Sequence, residues 1–272
     1  MSEPTTTAAS AGATEPTPVL ELRGVTKHFG GVTALHSVDL KLNPKEIVAI
    51  VGDNGAGKST LIKAISGTQP PDEGGFFSNG QPVDIRSPQE ASRLGIEAVY
   101  QDLALCDNLD TVQNLFLGNE IVSSGWTGHR LNHSRMESMA GEALRDLGVT
   151  TIRSLRTPVG RLSGGQRQGI AICRCVMRGP KVVLLDEPTA ALGVEQRAGV
   201  VRLIHKLKSE ARSVIVISHD LHDVVLEVAD RIVVLRLGRK AAEFRREDVN
   251  ASDLVAAITG VRSRHAEAQL AL

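Results

Sequence analysis

Neither sign of charge predominates in this 272-residue chain: 31 Lys and Arg balance 31 Asp and Glu. A chain without net charge has no global field to draw it onto nucleic acid or an anionic membrane, so no nucleic-acid partner is expected. Cysteine is scarce as well. Cys106, Cys173 and Cys175 are too few and too badly spaced for a disulfide framework or a zinc site, and they read as reduced thiols. No apolar run approaches the roughly 18–20 residues needed to cross a bilayer, and the first residues lack the charged-then-apolar pattern of an export signal. No repeat at a period of about 20–50 residues is visible. These absences predict a soluble, cytoplasmic protein that would depend on other subunits for any membrane role. Core-forming residues are not lacking: the hydrophobic fraction is 42%, ample for a packed interior.

Residues 1–17 are Thr, Ala, Ser, Gly, Pro and Glu with almost nothing to bury, which predicts a disordered tail. From Leu20 the pattern alternates, with Leu20 and Leu22 between Glu21 and Arg23, then Val38, Leu40 and Leu42 between Asp39 and Lys41. That predicts antiparallel strands with one wet face. Asn79-Gly80, after Phe76 and Phe77, predicts a hairpin turn. Three further runs, Ile47–Val51, Val182–Leu185 and Val214–Ile217, are apolar throughout and rich in Val and Ile. Such strands are covered on both faces, as in a parallel sheet flanked by helices. Between Asp102 and Gly179 the period becomes helical. Met136, Met139, Ala140, Ala143, Leu144 and Leu147 predict a helix over Ser134–Leu147 with Gly148 ending it.

Each buried run ends in chemistry. Gly52-Asp53-Asn54-Gly55-Ala56-Gly57-Lys58-Ser59 follows the first and fits G-x-x-x-x-G-K-[ST], with a helix predicted over Thr60–Ser66. Glycines there let backbone N–H groups turn inward around phosphate oxygens, and the helix start adds positive potential. Lys58 is expected to reach the β and γ phosphates and the Ser59 hydroxyl to ligate Mg²⁺. A chance match in a chain this long is expected about once in a hundred. The second run ends in Asp186-Glu187. Adjacent acids at the end of a buried strand are costly unless a cation meets them, so Asp186 is expected to share Mg²⁺ with Ser59 and Glu187 to orient or deprotonate the attacking water. The third ends in Ser218-His219-Asp220. Contiguous side chains diverge, so this is no catalytic triad; His219 is instead placed to contact a γ-phosphate, while His222 and His129 read as surface residues. Three motifs thus converge on the carboxyl edge of one sheet, where open α/β folds bind ligands. Ser163-Gly164-Gly165 ahead of an apolar helix is a second anion-binding helix start.

Taken together, the phosphate loop, Gln101 after a strand, the heptad Leu162–Gln168, the Val182–Glu187 strand and His219 resemble the ATP-binding cassette ATPases over roughly Leu20 to Gly260. The resemblance implies an α/β fold: a phosphate-loop NTPase core of mixed, mostly parallel sheet flanked by helices, with an antiparallel β subdomain and an inserted helical subdomain over about 102–180. It implies one ATPase domain over 18–262 and a tail over 263–272. Asp53, Asn54, Gly55, Ala56 and Thr60 then join Gly52, Gly57, Lys58 and Ser59 around ATP. Gln101 joins Ser59 and Asp186 at Mg²⁺ and links the γ-phosphate to a permease contact. Phe29 falls where the family stacks an aromatic on adenine. Ser163, Gly164, Gly165 and Gln166 would face the ATP of a second cassette chain in a head-to-tail dimer. Gly193 is a departure, since many members place Asp there to contact the opposite subunit.

The segments Val99–Leu103, Thr111–Gly118 and Glu187–Val194 resemble the simple-sugar import branch, in which this single-cassette chain is like the shorter fructose-type subunits. The resemblance implies an ATPase on the inner face of the cell membrane, working beneath transmembrane permease subunits fed by a sugar-binding protein. A soluble cassette ATPase of DNA repair or translation is the alternative class; a transporter subunit for a non-sugar substrate is the other. The long coiled coils of the repair members and the fused cassettes of the translation members are both missing.

Overall fold

A computed structural model describes residues 16–125 and 128–260. The expected tails fall outside them except for Pro16 and Thr17, and so does the side chain of His129. Strands β1 (Leu20–Phe29) and β2 (Val32–Leu42) pair antiparallel, with Leu20 opposite Leu42, Leu22 opposite Leu40 and Val25 opposite Val38. All six side chains are buried, as their alternation predicts. Two further strands, β4 (Glu73–Ser78) and β5 (Gln81–Val83), complete a four-stranded sheet in the order β2-β1-β4-β5. The turn between them is Asn79-Gly80, with φ of 50° and 78° at its two residues and Ser78 paired to Gln81; both centres are left-handed, which suits Asn and Gly and matches the twist of a hairpin.

The second sheet has six strands. Its centre is the three apolar runs as adjacent parallel strands: β3 (Ile47–Val51), β10 (Ser213–Ile217) and β9 (Val182–Asp186). Strand β6 (Ile96–Val99) extends it in parallel beyond β9, and β11 (Arg231–Arg236) beyond β3. The outermost strand, β12 (Arg239–Arg245), is antiparallel to β11. Every residue of β3, β9 and β10 is buried, and alternate side chains go to opposite layers. Val48, Ile50, Leu184, Ile215 and Ile217 pack with Leu61, Ile62 and Ile65 of helix α1 (Lys58–Ile65) and with the antiparallel sheet. Ala49, Val51, Val183, Leu185, Val214 and Val216 face the other layer. There they meet helices α5 (Gly164–Val176) and α6 (Val194–Ser209).

Between β6 and β9 lies a largely helical region that holds α3, α4 and α5. Here α2 is Pro88–Arg93, preceding β6, while α3 (Thr111–Phe116) and α4 (His133–Asp146) precede α5. Helix α4 covers the predicted segment one residue early, and Gly148 at φ 76° ends it. Met136, Ala140 and Leu144 are buried, whereas Met139 is exposed: at 100° per residue it falls off the buried stripe. The region is not wholly helical, because β7 (Val122–Gly125) and β8 (Gly128–Leu131) form a two-stranded hairpin inside it. Cys173 and Cys175 point into the core from α5, and burial pushes both thiols up to about 12. All three cysteines are free, and the two buried ones are inert thiols. After β10 a π-turn (Leu221–Val225) runs into the short α7 (Leu226–Val228), and α8 (Ala251–Thr259) closes the described chain.

Candidate active site

The loop after β3 turns on glycines that nothing else can replace. A Cβ on Gly52, at φ 153°, would lie 2.2 Å from the Leu235 carbonyl oxygen, and one on Gly57, at φ 100°, 2.6 Å from that of Ala34. The loop is braced from behind by the β11–β12 turn: Gly238 N donates to Ala56 O (3.1 Å) and accepts, at its own carbonyl, from His36 N (2.8 Å). Gly57 is the N-cap of α1 and offers no side chain, so the first N–H groups of that helix are free for an anion. α1 begins at Lys58, two residues before the predicted Thr60. Lys58 is buried, and its Nζ donates to the carbonyls of Gly52 (2.8 Å) and Asp53 (2.9 Å). Its ammonium thus rests on the loop that its phosphate contacts would share. Asp53, Asn54, Gly55 and Ser59 are exposed around it, Thr60 is half-buried and Ala56 is buried.

The carboxylates stand one strand over from β10. Asp186 pairs with Ile217 at the end of β9 and is only 5% exposed, with Oδ1 buried and without a hydrogen-bond partner. Burial raises its pKa from the ordinary aspartate value, against the opposing pull of Ser59, Lys58 and Lys63. An orphaned, desolvated carboxylate oxygen beside a hydroxyl fits a divalent cation. Glu187 sits in the left-handed region at φ 50°. It is pinned there because its N–H donates to Ile217 O (3.0 Å) and its carbonyl accepts from Ala190 N (3.1 Å). Held strain of this kind clusters at functional sites. It brings the Glu187 carboxylate to 2.8 Å from Nδ1 of His219. The His219 ring is otherwise 73% exposed, so it remains reachable by a ligand.

Ser163 is the N-cap of α5 in a reciprocal box: its Oγ accepts from Gln166 N (3.3 Å), and its N–H donates to Gln166 Oε1 (2.9 Å). Gln166 also donates to Thr151 O (2.8 Å), so its side chain is engaged in shaping this helix start. Gly164 and Gly165 back onto the segment after Glu187: Cβ atoms on them would lie 3.0 Å from Leu192 Cδ2 and from Gln196 Cβ. Among the described residues, no hydrogen bond or ion pair joins Ser163–Gln166 to the phosphate loop. Gln101 is exposed, two residues past the end of β6, on the same carboxyl edge as Asp186. Phe29 ends β1 at 45% exposure, with Lys27 Nζ 5.8 Å from its ring centre. It is therefore no core phenylalanine.

The Glu187–His219 contact and the Leu237-Gly238 brace escape a reading of motifs one at a time. The brace had a signal: an apolar run Ile232–Leu235 followed by a glycine, like the hairpin at Asn79-Gly80. The contact had none, since residues 32 apart in sequence meet only through the pairing of β9 with β10.

A parallel strand, a glycine loop holding a lysine at a helix start, and paired acids at the end of a strand two places along the same sheet define the phosphate-loop class of nucleotide-binding folds. The protein-family model described as "ABC transporter" matches residues 35–190. The chain is similar to the fructose import ATP-binding protein FrcA of Rhizobium meliloti, 46% identical over 92% of this chain and 97% of that protein. It is also similar to the xylose/arabinose import ATP-binding protein XylG of Sulfolobus acidocaldarius, 41% identical over 89% of this chain and 94% of that one. Among solved structures, the ATP-binding cassette MJ0796, a dimer in a post-hydrolysis state bound to ADP and Pi, superposes with a TM-score of 0.70. It is 26% identical over 84% of this chain and 98% of that chain. The chain belongs to the ABC transporter family.

Proposed function

We propose that this chain is the ATP-hydrolysing subunit of an importer for a simple sugar. The observation that carries the sugar reading is likeness at full length to two sugar-import ATP-binding proteins. For hydrolysis, the supporting geometry is Glu187 held by His219 at the strand end beside the phosphate loop. Gly52–Thr60 wrap the phosphates, Lys58 exchanging its two carbonyl partners for β and γ oxygens. Phe29 stacks on adenine. Ser59 and Asp186, with Gln101, hold Mg²⁺. Among the described residues no cluster of three His, Cys, Asp or Glu is placed to hold a metal alone. Bound there, the ion neutralises charge on the phosphates. Glu187 orients or deprotonates the attacking water, and His219 fixes Glu187 and meets the γ-phosphate.

Ser163, Gly164 and Gly165 serve the ATP of a second copy of the chain. Each ATP brings about four negative charges to Lys58 and the helix starts of both chains, and their attraction in a partly dry interface offsets the ordering cost of joining two neutral chains. Gly193 provides no carboxylate at that interface; the adjacent Val194 is 81% exposed and offers an apolar contact instead. No helix of the described residues is long and apolar enough to cross a membrane. Attachment to the inner face of the membrane therefore runs through permease subunits, with a sugar-binding protein acting indirectly.

Asp186 gives a test of the cation site. Because burial raises its pKa, its charged form is held at a cost in the folded chain relative to the unfolded one. That cost is present at neutral pH and disappears as pH falls through the raised value. Asp186→Asn should therefore leave the nucleotide-free chain at least as stable at pH 7. It should also lose most of the extra thermal protection that Mg²⁺ adds to ATP. Melting curves with ATP alone and with ATP plus Mg²⁺ check this; an undiminished Mg²⁺-dependent gain in the variant contradicts the ligand role. The sugar reading is tested by purifying the chain with its membrane partners and binding protein in vesicles and screening ATP turnover. One pentose or hexose should stimulate it severalfold. Stimulation by amino acids, and by no sugar, would overturn the reading.

A further inference from the structure

The segment that carries His219 has little of its own to hold it in place. It leaves β10 through Ser218, which is fully buried and whose Oγ accepts from Asp220 N (3.1 Å), and enters a π-turn rather than a regular helix. Asp220 caps that turn, its Oδ1 accepting from Asp223 N (2.9 Å). The remaining oxygen of Asp220 and a carboxylate oxygen of Asp223 converge on one group: Nη1 of Arg197, at 2.8 Å and 2.5 Å. Arg197 stands in the first turn of α6, its N–H donating to Gly193 O (2.9 Å). Its neighbour Gln196 in the same turn packs against Gly165. One helical turn thus touches the serine-glycine motif on one side and the histidine segment on the other.

Stability alone is a poor reason for this arrangement. Desolvating a pair of this kind offsets much of its attraction, and placing Arg197 here leaves its Nε buried with no partner. The pair instead resists displacement of Asp220, the residue after His219, whose ring hydrogen-bonds Glu187. We propose that Arg197 is a positioning residue for hydrolysis, holding His219 against Glu187 through Asp220 and Asp223, on the same turn that bears on Gly165. The proposal rests on the roles given above to Glu187 and His219. A lysine at 197 keeps the charge but not the planar guanidinium, so it should do the same task less well.

Four chains decide it: wild type, Arg197→Met, His219→Ala and the double variant, compared by single-turnover hydrolysis of radiolabelled ATP. Arg197→Met should lower the rate about tenfold with the KM for ATP changed less than about twofold, the signature of a lost transition-state interaction. In the His219→Ala background the same substitution should cost less than about twofold, because the residue acts through the histidine. Should Arg197→Met fold poorly, Arg197→Lys and Asp223→Asn take its place, each expected to lose about threefold and only when His219 is present. Equal losses in both backgrounds, or full activity of Arg197→Met, overturn the proposal while leaving the active site intact. Full activity of His219→Ala removes the histidine's role itself, and with it anything for Arg197 to act through.

Discussion

Replacing Glu187 by Gln is expected to cut ATP turnover by about 10²–10⁴-fold, the usual loss on removing a well-placed general base, with ATP affinity nearly unchanged. Gln fills the same space, tolerates the same backbone, and keeps a polar atom for His219 Nδ1, now 2.8 Å from the carboxylate. What it lacks is the negative charge that draws a proton from water. The strained φ of 50° at this position is fixed by main-chain bonds to Ile217 and Ala190, so the substitution should not let the strand end relax. Turnover is read from phosphate release and affinity from equilibrium titration. Near-wild-type hydrolysis in the variant removes Glu187 from the chemistry; a parallel loss of affinity moves it to binding.

Lys58→Ala should act earlier, on binding. A charge-assisted hydrogen bond is worth about 1.5–3 kcal/mol, and the ammonium is placed to make at least one with phosphate. Affinity for ATP should therefore fall roughly 10²-fold, with turnover falling alongside. The free chain should suffer less, because the carbonyls that Lys58 now satisfies, those of Gly52 and Asp53, lie on a loop with water at hand. Thermal protection by ligand separates the two effects. At a ligand concentration of about 100 Kd the wild type gains about 2.7 kcal/mol, whereas a chain binding 100-fold more weakly gains about 0.4 kcal/mol at the same concentration. Equal protection of both chains discards the contact between Lys58 and phosphate.

The parts of this molecule that were legible in its sequence are those that local physics decides. Ile47–Val51, Val182–Leu185 and Val214–Ile217 had to be strands covered on both faces, because no wet face of a sheet tolerates such runs, and they are the adjacent centre of the six-stranded sheet. Asn79-Gly80 announced its turn through two left-handed centres. The helix expected after Ser163-Gly164-Gly165 is α5, which begins at Gly164. What stayed hidden depends on which strands are neighbours. Asp186 and Glu187 were read correctly as a pair at a strand end, but that one is orphaned and the other bonded to His219 follows only from the pairing of β9 with β10. The β7–β8 hairpin was concealed in a region whose dominant period is helical, its strands being four residues each. Arg197 carried no motif; its meaning comes from two acids more than twenty residues away.

At the centre of the account is one ATP shared by two chains, gripped by Gly52–Ser59 of one and faced by Ser163–Gly165 of the other. Crystals of the Glu187→Gln chain grown with Mg²⁺ and ATP test it most directly. The expected result is a symmetric pair with two triphosphates, each lying between the lysine loop of one copy and the serine-glycine helix start of its mate. Triphosphates enclosed within single chains, with Ser163–Gly165 facing solvent, would contradict it.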